Sequence, residues 1–153
     1  MSFTSSMIEP AWQPKAVVFD LLTALIDSWS LWDSSAPPSM SNEGRHWREC
    51  YLEITFGAGR YVPYEKLVQQ SAREAGLPIS APESLLRDWA NLQAWPEAGR
   101  VLQALRGRGY KLGVVTNCSK HLGHLAARGV ERYASEDGAE KFDFDGVITA
   151  EES

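Results

Sequence analysis

The stretch that most constrains this chain is Lys15–Trp29, KAVVFDLLTALIDSW. Ala16, Val17, Val18 and Phe19 run without a break into Asp20, and a second apolar set follows. Apolar residues at consecutive positions suit a parallel strand covered on both faces, not a strand with one wet face. Such a strand ends on a carboxylate, and in open parallel sheets the crevice beyond the strands' carboxyl ends is where ligands bind. Thr23 and Ala24 let the backbone turn back tightly without a glycine. Asp20 could equally cap the following turn, as many strand-ending aspartates do, and the stretch alone does not choose between the two.

The rest of the composition narrows the class. A chain of 153 residues, 44% hydrophobic and 23% charged, suffices for one globular domain or a small core with a lid. A net charge of -5 offers no basic footprint for nucleic acid, and no apolar run reaches membrane-spanning length. The N-terminal MSFTSSMIEPAWQPK contains Glu9 and two prolines and has no apolar core, so residues 1–14 read as a tail and not as a signal peptide. Cys50 and Cys118 do not make a disulfide framework and fit a reduced compartment, with the cytoplasm as the default expectation.

Taken in order, the chain alternates. Leu25–Trp32 is apolar and aromatic, and the Ser/Pro cluster Ser34–Ser41 reads as a linker, which places a domain boundary near Trp29. Ser41 or Asn42 can cap a helix over Glu43–Phe56, with Trp47, Tyr51 and Ile54 as its apolar stripe and Arg48 one position round. A second helix runs from Pro63 to Ala75 with Tyr64, Leu67, Val68 and Ala72 on one face. Ser80-Ala81-Pro82-Glu83 spells a capping box opening a third, with Leu85, Trp89 and Leu92 inward. No strand separates these helices, which predicts an all-helical cap over residues 29–95. Beyond Trp95-Pro96 come a helix over Glu97–Arg106, a buried strand over Lys111–Asn117, a helix over Ser119–Arg128 closed by Gly129, and a strand within Phe142–Thr149. Residues 15–28 and 96–153 thus form an α/β core, a partial doubly wound (Rossmann-like) parallel sheet with right-handed crossovers.

Two features meet at the carboxyl edge of that sheet. Asp20 ends the first strand, Thr116 and Asn117 end the second, and consecutive strands joined by one helix are usually neighbours. Ser119 then starts a helix whose free N–H groups favour an anion. A carboxylate beside hydroxyl, amide and helix-start donors is the equipment of a covalent nucleophile with a pocket for negative charge. Taken alone, Thr-Asn-x-Ser is also an ordinary turn.

Together, VFDLLTALIDSW, the helical insertion directly after it, GYKLGVVTNCS and FDGVITAEE resemble the haloacid dehalogenase-like hydrolase superfamily over about residues 15–153. The helical-cap branch containing the 2-haloacid dehalogenases is the most similar. The resemblance implies that Asp20 is a nucleophile forming an aspartyl ester that water hydrolyses. It implies that Thr116 holds the substrate's anionic group with Asn117 beside it. It further implies that Trp47-Arg48 corresponds to a Trp-Arg pair whose arginine helps halide leave, although Arg48 is otherwise an ordinary solvated base. The implied partner is a small anionic organic substrate; nucleic acid and membrane are not expected, and a homodimer is left open.

Departures from the family pattern matter as much. Family phosphatases carry a second aspartate two residues after the nucleophile, where it serves as acid/base beside magnesium. Leu22 stands there and cannot shuttle a proton. Dehalogenases usually place Tyr-Gly-Thr where this chain has Leu22, Thr23 and Ala24; Leu22 then borders the substrate. Asp143-Phe144-Asp145-Gly146 spells the phosphatase motif but precedes its strand, so it reads as a surface turn. Family members also continue to a lysine and an acidic motif, whereas the sequence stops at Ser153. The expectation is therefore a truncated product with an open sheet edge, poorly stable and inactive, since attack by a carboxylate on an anion needs a cation nearby. Cys118 reads as a semi-buried turn residue, His121 and His124 as helix-surface histidines, and Trp47 and Trp89 as packing between cap and core. The expected function is hydrolysis of a small anionic substrate through the Asp20 ester, carbon–halogen cleavage in a 2-haloacid, with no cofactor. The alternatives are a magnesium-dependent phosphatase and a catalytically inactive binding or regulatory fragment.

Overall fold

The structure, a computed structural model, describes residues 12–138 and 140–153. Most of the expected tail (1–14) lies outside the described residues. Three strands, β1 (Ala16–Asp20), β2 (Lys111–Thr116) and β3 (Gly146–Thr149), form one parallel sheet in the order β1-β2-β3. Between β1 and β2 come α1 (Ser28–Ser35), α2 (Glu43–Gly57), α3 (Tyr64–Glu74), α4 (Ser80–Arg87) and α5 (Ala98–Gly107); α6 (Lys120–Asp137) joins β2 to β3. The register sets Asp20 opposite Val115 and Thr116 opposite Thr149, so all three strands present their carboxyl ends at one edge.

Side chains alternate across the sheet as the pleat requires. Leu112, Val114 and Thr116 are buried on the face that α5 and α6 cover. On the opposite face Val18 is 61% exposed, Val115 41% and Ile148 52%. The expectation that β1 is covered on both faces is thus corrected: both crossover helices lie on the same side, and nothing among the described residues packs on the other. Gly123 is what lets α6 approach so closely. A Cβ there would sit 2.5 Å from the Thr149 γ-methyl and 3.0 Å from that of Thr116.

The four helices of the insertion enclose an aromatic core. Trp32, Trp47, Tyr64 and Trp89 are essentially inaccessible, with Tyr51 close behind. Their rings follow one another at 4.5 Å (Trp32–Trp47), 5.1 Å (Trp32–Tyr51), 5.5 Å (Tyr51–Tyr64) and 5.2 Å (Tyr64–Trp89), tilted or edge-on as ring quadrupoles favour. Trp47 Nε1 donates to Ser71 Oγ at 3.0 Å within the insertion. Trp89 Nε1 donates 2.9 Å to the Leu122 carbonyl of α6, tying insertion to core. Where the chain leaves and re-enters the core, Ile26 and Ala94 form an antiparallel bridge, with Asp27 N donating to Gln93 O and Trp95 N to Leu25 O.

Three local expectations are corrected. Part of the Ser34–Ser41 linker is structured: α1 reaches Ser35, started by Asp27, whose carboxylate accepts from Ser30 N and, at 2.6 Å, from Ser30 Oγ, and Pro38–Met40 form a 3-10 turn. The Ser80 capping box does not form, because Ser80 already lies inside α4 and makes no capping hydrogen bond there. Gly129 does not end α6. Ala126, Ala127, Val130 and Ala134 continue one buried face past it, and that burial outweighs the cost of a helical glycine, about 1 kcal/mol.

Candidate active site

Asp20 is exposed at the end of β1, where the backbone turns at once: Leu21 N still donates to Val115 O, and Leu25 N to Leu21 O. Thr23 fixes the carboxylate. Its hydroxyl donates to Oδ2 at 2.6 Å and its N–H to the same oxygen at 3.2 Å, while Oδ1 accepts no hydrogen bond from any described residue. One oxygen is thus held and the other presented, the arrangement an attacking carboxylate needs.

Asp20 borders two adjoining cavities. The one under the helical insertion, about 150 Å³, is lined by Asp20, Leu22, Thr23, Ser28, Trp29, Tyr51, Leu52, Tyr64, Thr116 and Asn117. The other, about 240 Å³, opens along the strand ends, with Val115, Thr116, Asn117, Ile148 and Thr149 around Asp20. Asn117 also borders a third cavity of about 230 Å³ beneath the α2–α3 loop. A larger depression of about 590 Å³ lies elsewhere, over the exposed Lys120, His121 and Arg128 and the half-buried His124; it is a wide-open surface hollow without Asp20.

Thr116 is the informative neighbour. It is 6% exposed, and its Oγ1 has no hydrogen-bond partner among the described residues. Leaving a buried hydroxyl unpaired costs about 1–3 kcal/mol, and the Cys118 thiol is the group beside it. Tyr51 and Tyr64 close the cavity from above. Burial pushes both phenols well above the ordinary range, so they stay neutral O–H groups at physiological pH.

Four of the residues expected at the site, Asp20, Leu22, Thr116 and Asn117, therefore share one cavity. Arg48 is corrected: it lines none of the three. Its guanidinium pairs with the Asp33 carboxylate and lies 5.3 Å over the Trp29 ring. Asp33 captures it because α1 runs alongside α2, leaving Arg48 to support Trp29 from behind. The helix-start donors are also partly spent, since Lys120 N donates to Glu151 Oε2 at 2.6 Å. Ser119 Oγ donates 2.8 Å to Glu65 Oε1 of the insertion. Thr23, Ser28, Trp29, Tyr51 and Tyr64 were not foreseen as site residues. Only Thr23 carried a signal, a hydroxyl three positions beyond an aspartate, which favours a local side-chain turn.

The lesser candidates resolve individually. Burial pushes the Cys118 thiol up to about 12, which removes it as a nucleophile. His124 Nε2 pairs with Glu152 at 2.9 Å. Asp145 lies at the opposite, amino-terminal edge of the sheet, where its Oδ2 accepts from Leu112 N at 2.8 Å and pairs with Arg106 at 3.1 Å. The Leu112 N–H, foremost, holds its pKa below the usual carboxylate range. The Asp-Phe-Asp-Gly motif thus pins β2 to the β3 turn. Magnesium, needed for the phosphatase alternative, does not fit the donors at Asp20. Asp20 is the only carboxylate side chain among the described residues lining its two cavities, and position 22 offers an apolar side chain.

Fold and site together define an α/β protein with a helical insertion over the carboxyl edge of a parallel sheet and a carboxylate at the end of its first strand. The fold is similar to that of solved L-2-haloacid dehalogenases. An L-2-haloacid dehalogenase from Xanthobacter autotrophicus superposes with a TM-score of 0.69 at 22% identity, covering 90% of this chain and 57% of that one. The same enzyme with chloropropionic acid covalently bound gives 0.68 at 21%, with the same coverage. A further L-2-haloacid dehalogenase gives 0.64 at 24%, covering 90% and 64%. At these identities the likeness is one of fold, and the chain spans about three fifths of the length of the structures it matches. No family model and no curated protein matches the sequence.

Proposed function

We propose that the protein hydrolyses a carbon–halogen bond of a small 2-haloacid through an ester on Asp20. The observation that carries this reading is the carboxylate itself: Oδ2 is held by Thr23, Oδ1 accepts no hydrogen bond from any described residue, and Thr116 and Asn117 line the cavity in front of it. Oδ1 attacks the halogen-bearing carbon, the carbon–oxygen bond forms as the carbon–halogen bond breaks, and halide leaves with the bonding pair. Water then adds to the ester carbonyl. The acyl carbon–oxygen bond breaks, giving the 2-hydroxyacid, the regenerated carboxylate and a proton. Thr116 and Asn117 orient the substrate, and the apolar Leu22 with Tyr51 and Tyr64 limits the water around the attacking oxygen. Arg48 has a positioning role, holding Trp29 against the cavity. The fold shared with L-2-haloacid dehalogenases supports the reading, as does the covalent chloropropionic acid adduct of one of them.

The test is halide release from 2-chloropropionate with mass analysis of the peptide containing Asp20. A single turnover in ¹⁸O-labelled water places label in the Asp20 carboxylate. Asp20→Asn loses halide release by a factor on the order of 10⁴ or more. A wild-type protein that releases no halide from 2-haloacids overturns the proposal, and turnover of a phosphomonoester that a chelator abolishes replaces it with the phosphatase.

A further inference from the structure

Deepening that reading, the geometry points to Arg60 as the residue that recognises the substrate's carboxylate, together with Asn117. The argument begins with charge. A protein of net charge -5 must bring an anion up to an ionised Asp20, and the two negative groups repel each other strongly in a partly enclosed cleft. Neither cavity bordered by Asp20 has a Lys, Arg or His side chain among its described lining residues. Arg48 is spent on Asp33. The third cavity, which shares Asn117 with the other two, is lined by Thr55, Ala58, Arg60, Tyr61, Val62, Leu67, Ala150 and Ser153 as well. Arg60 is the single cation among the described residues lining any of the three.

Its side chain is also uncommitted. Glu65 and Glu151 are the carboxylates near the adjoining Tyr61 phenol, yet Glu65 accepts from Ser119 and Glu151 from the Lys120 N–H; neither forms an ion pair with Arg60. Sequence explains the loop's shape. α2 stops at Gly57, and Gly59 takes φ +64°, a conformation other residues adopt only with strain. The chain then reverses into Pro63 and α3, and Arg60 lines the cavity together with Asn117 and Ala150, which follow β2 and β3. A guanidinium offers a two-pronged donor fork that fits a carboxylate, and the Asn117 amide can donate to the same group from the Asp20 side. The substrate class that follows is a monocarboxylic acid. Its carboxylate lies between Asn117 and Arg60 while its reacting carbon faces Asp20 Oδ1.

This assignment rests on Asp20 as nucleophile, so its test carries two readouts. The first compares 2-chloropropionate with its neutral amide. Arg60→Gln lowers kcat/KM for the acid about tenfold, through KM, and leaves the amide unchanged, while Arg60→Lys recovers most of the loss. Equal losses on acid and amide, or none, overturn the assignment. The second is calorimetric binding of propionate, which needs no turnover. Wild type and Asp20→Asn bind it, and Arg60→Gln binds it about tenfold more weakly. If halide release is absent but Arg60 still governs propionate binding, the nucleophile reading fails and the anion site stands. If propionate does not bind wild type, or binds Arg60→Gln equally, the anion site fails.

Discussion

The two halves of this molecule solve the burial problem differently. The helical insertion surrounds its large side chains on all sides: Trp32, Trp47 and Trp89 are at most 1% exposed, and with Tyr51 and Tyr64 their rings form a chain across α1, α2, α3 and the turn after α4. The sheet buries only one of its faces, leaving Val18, Val115 and Ile148 across the other. The lid, the part usually regarded as an accessory, is therefore the better packed of the two in this chain. The catalytic carboxylate proposed here sits on the less enclosed half, at the end of an edge strand. What holds it in place is local: the Thr23 turn on one side and the β1–β2 register on the other. The insertion contributes by roofing the cavity and by the Trp89–Leu122 and Glu65–Ser119 bonds that hold roof to floor.

Substitutions that challenge each half should rank accordingly. The largest effect belongs to Trp47→Ala, which removes a fully buried ring together with its bonds to Ser71 Oγ and Val68 O. A loss of about 3–5 kcal/mol in chemical denaturation is expected. A smaller loss would mean that the aromatic core collapses to fill the space. Next is Gly123→Ala, which forces α6 away from Thr116 and Thr149. The overpacking cost, about 1–3 kcal/mol, exceeds the helical gain of about 1 kcal/mol, so the variant is less stable and, with Thr116 displaced, weaker in substrate binding. Stability unchanged or raised would show that the sheet side yields more easily than the insertion. The smallest effect is that of Val18→Thr on the bare face, within about 0.5 kcal/mol of wild type. A loss of 2 kcal/mol or more, well beyond that range, would reveal that this face is covered in solution.

Much of the fold was legible because period and punctuation agreed. The unbroken apolar run into Asp20 and the helical stripes Trp47/Tyr51/Ile54 and Tyr64/Leu67/Val68/Ala72 are local signals, and the structure places elements where they lie. The misses share a cause. Gly129 looked like a helix stop because the buried face formed by Val130 and Ala134 against α5 cannot be read from neighbours in sequence. The run Ala16–Phe19 looked covered on both faces because apolar content records what a strand tolerates, not how many helices lie over it. At the site, the grouping of Asp20, Thr116 and Asn117 around one cavity was legible from strand ends, Leu22 entered only through the family resemblance, and Thr23 could have been legible from its spacing. Arg48 was not, since its fate turns on Asp33, fifteen positions away on another helix.

The linear sequence by itself determined which residues could supply the chemistry: a carboxylate, a hydroxyl and an amide at the ends of adjacent strands, with an apolar residue where a second acid would be needed for phosphoryl transfer. Tertiary structure alone decided where the cations are placed relative to them. A guanidinium at the end of a long flexible chain goes to whichever carboxylate packing brings within reach, so Arg48 went to Asp33. Arg60, on a loop turned by Gly59, was left at the cleft.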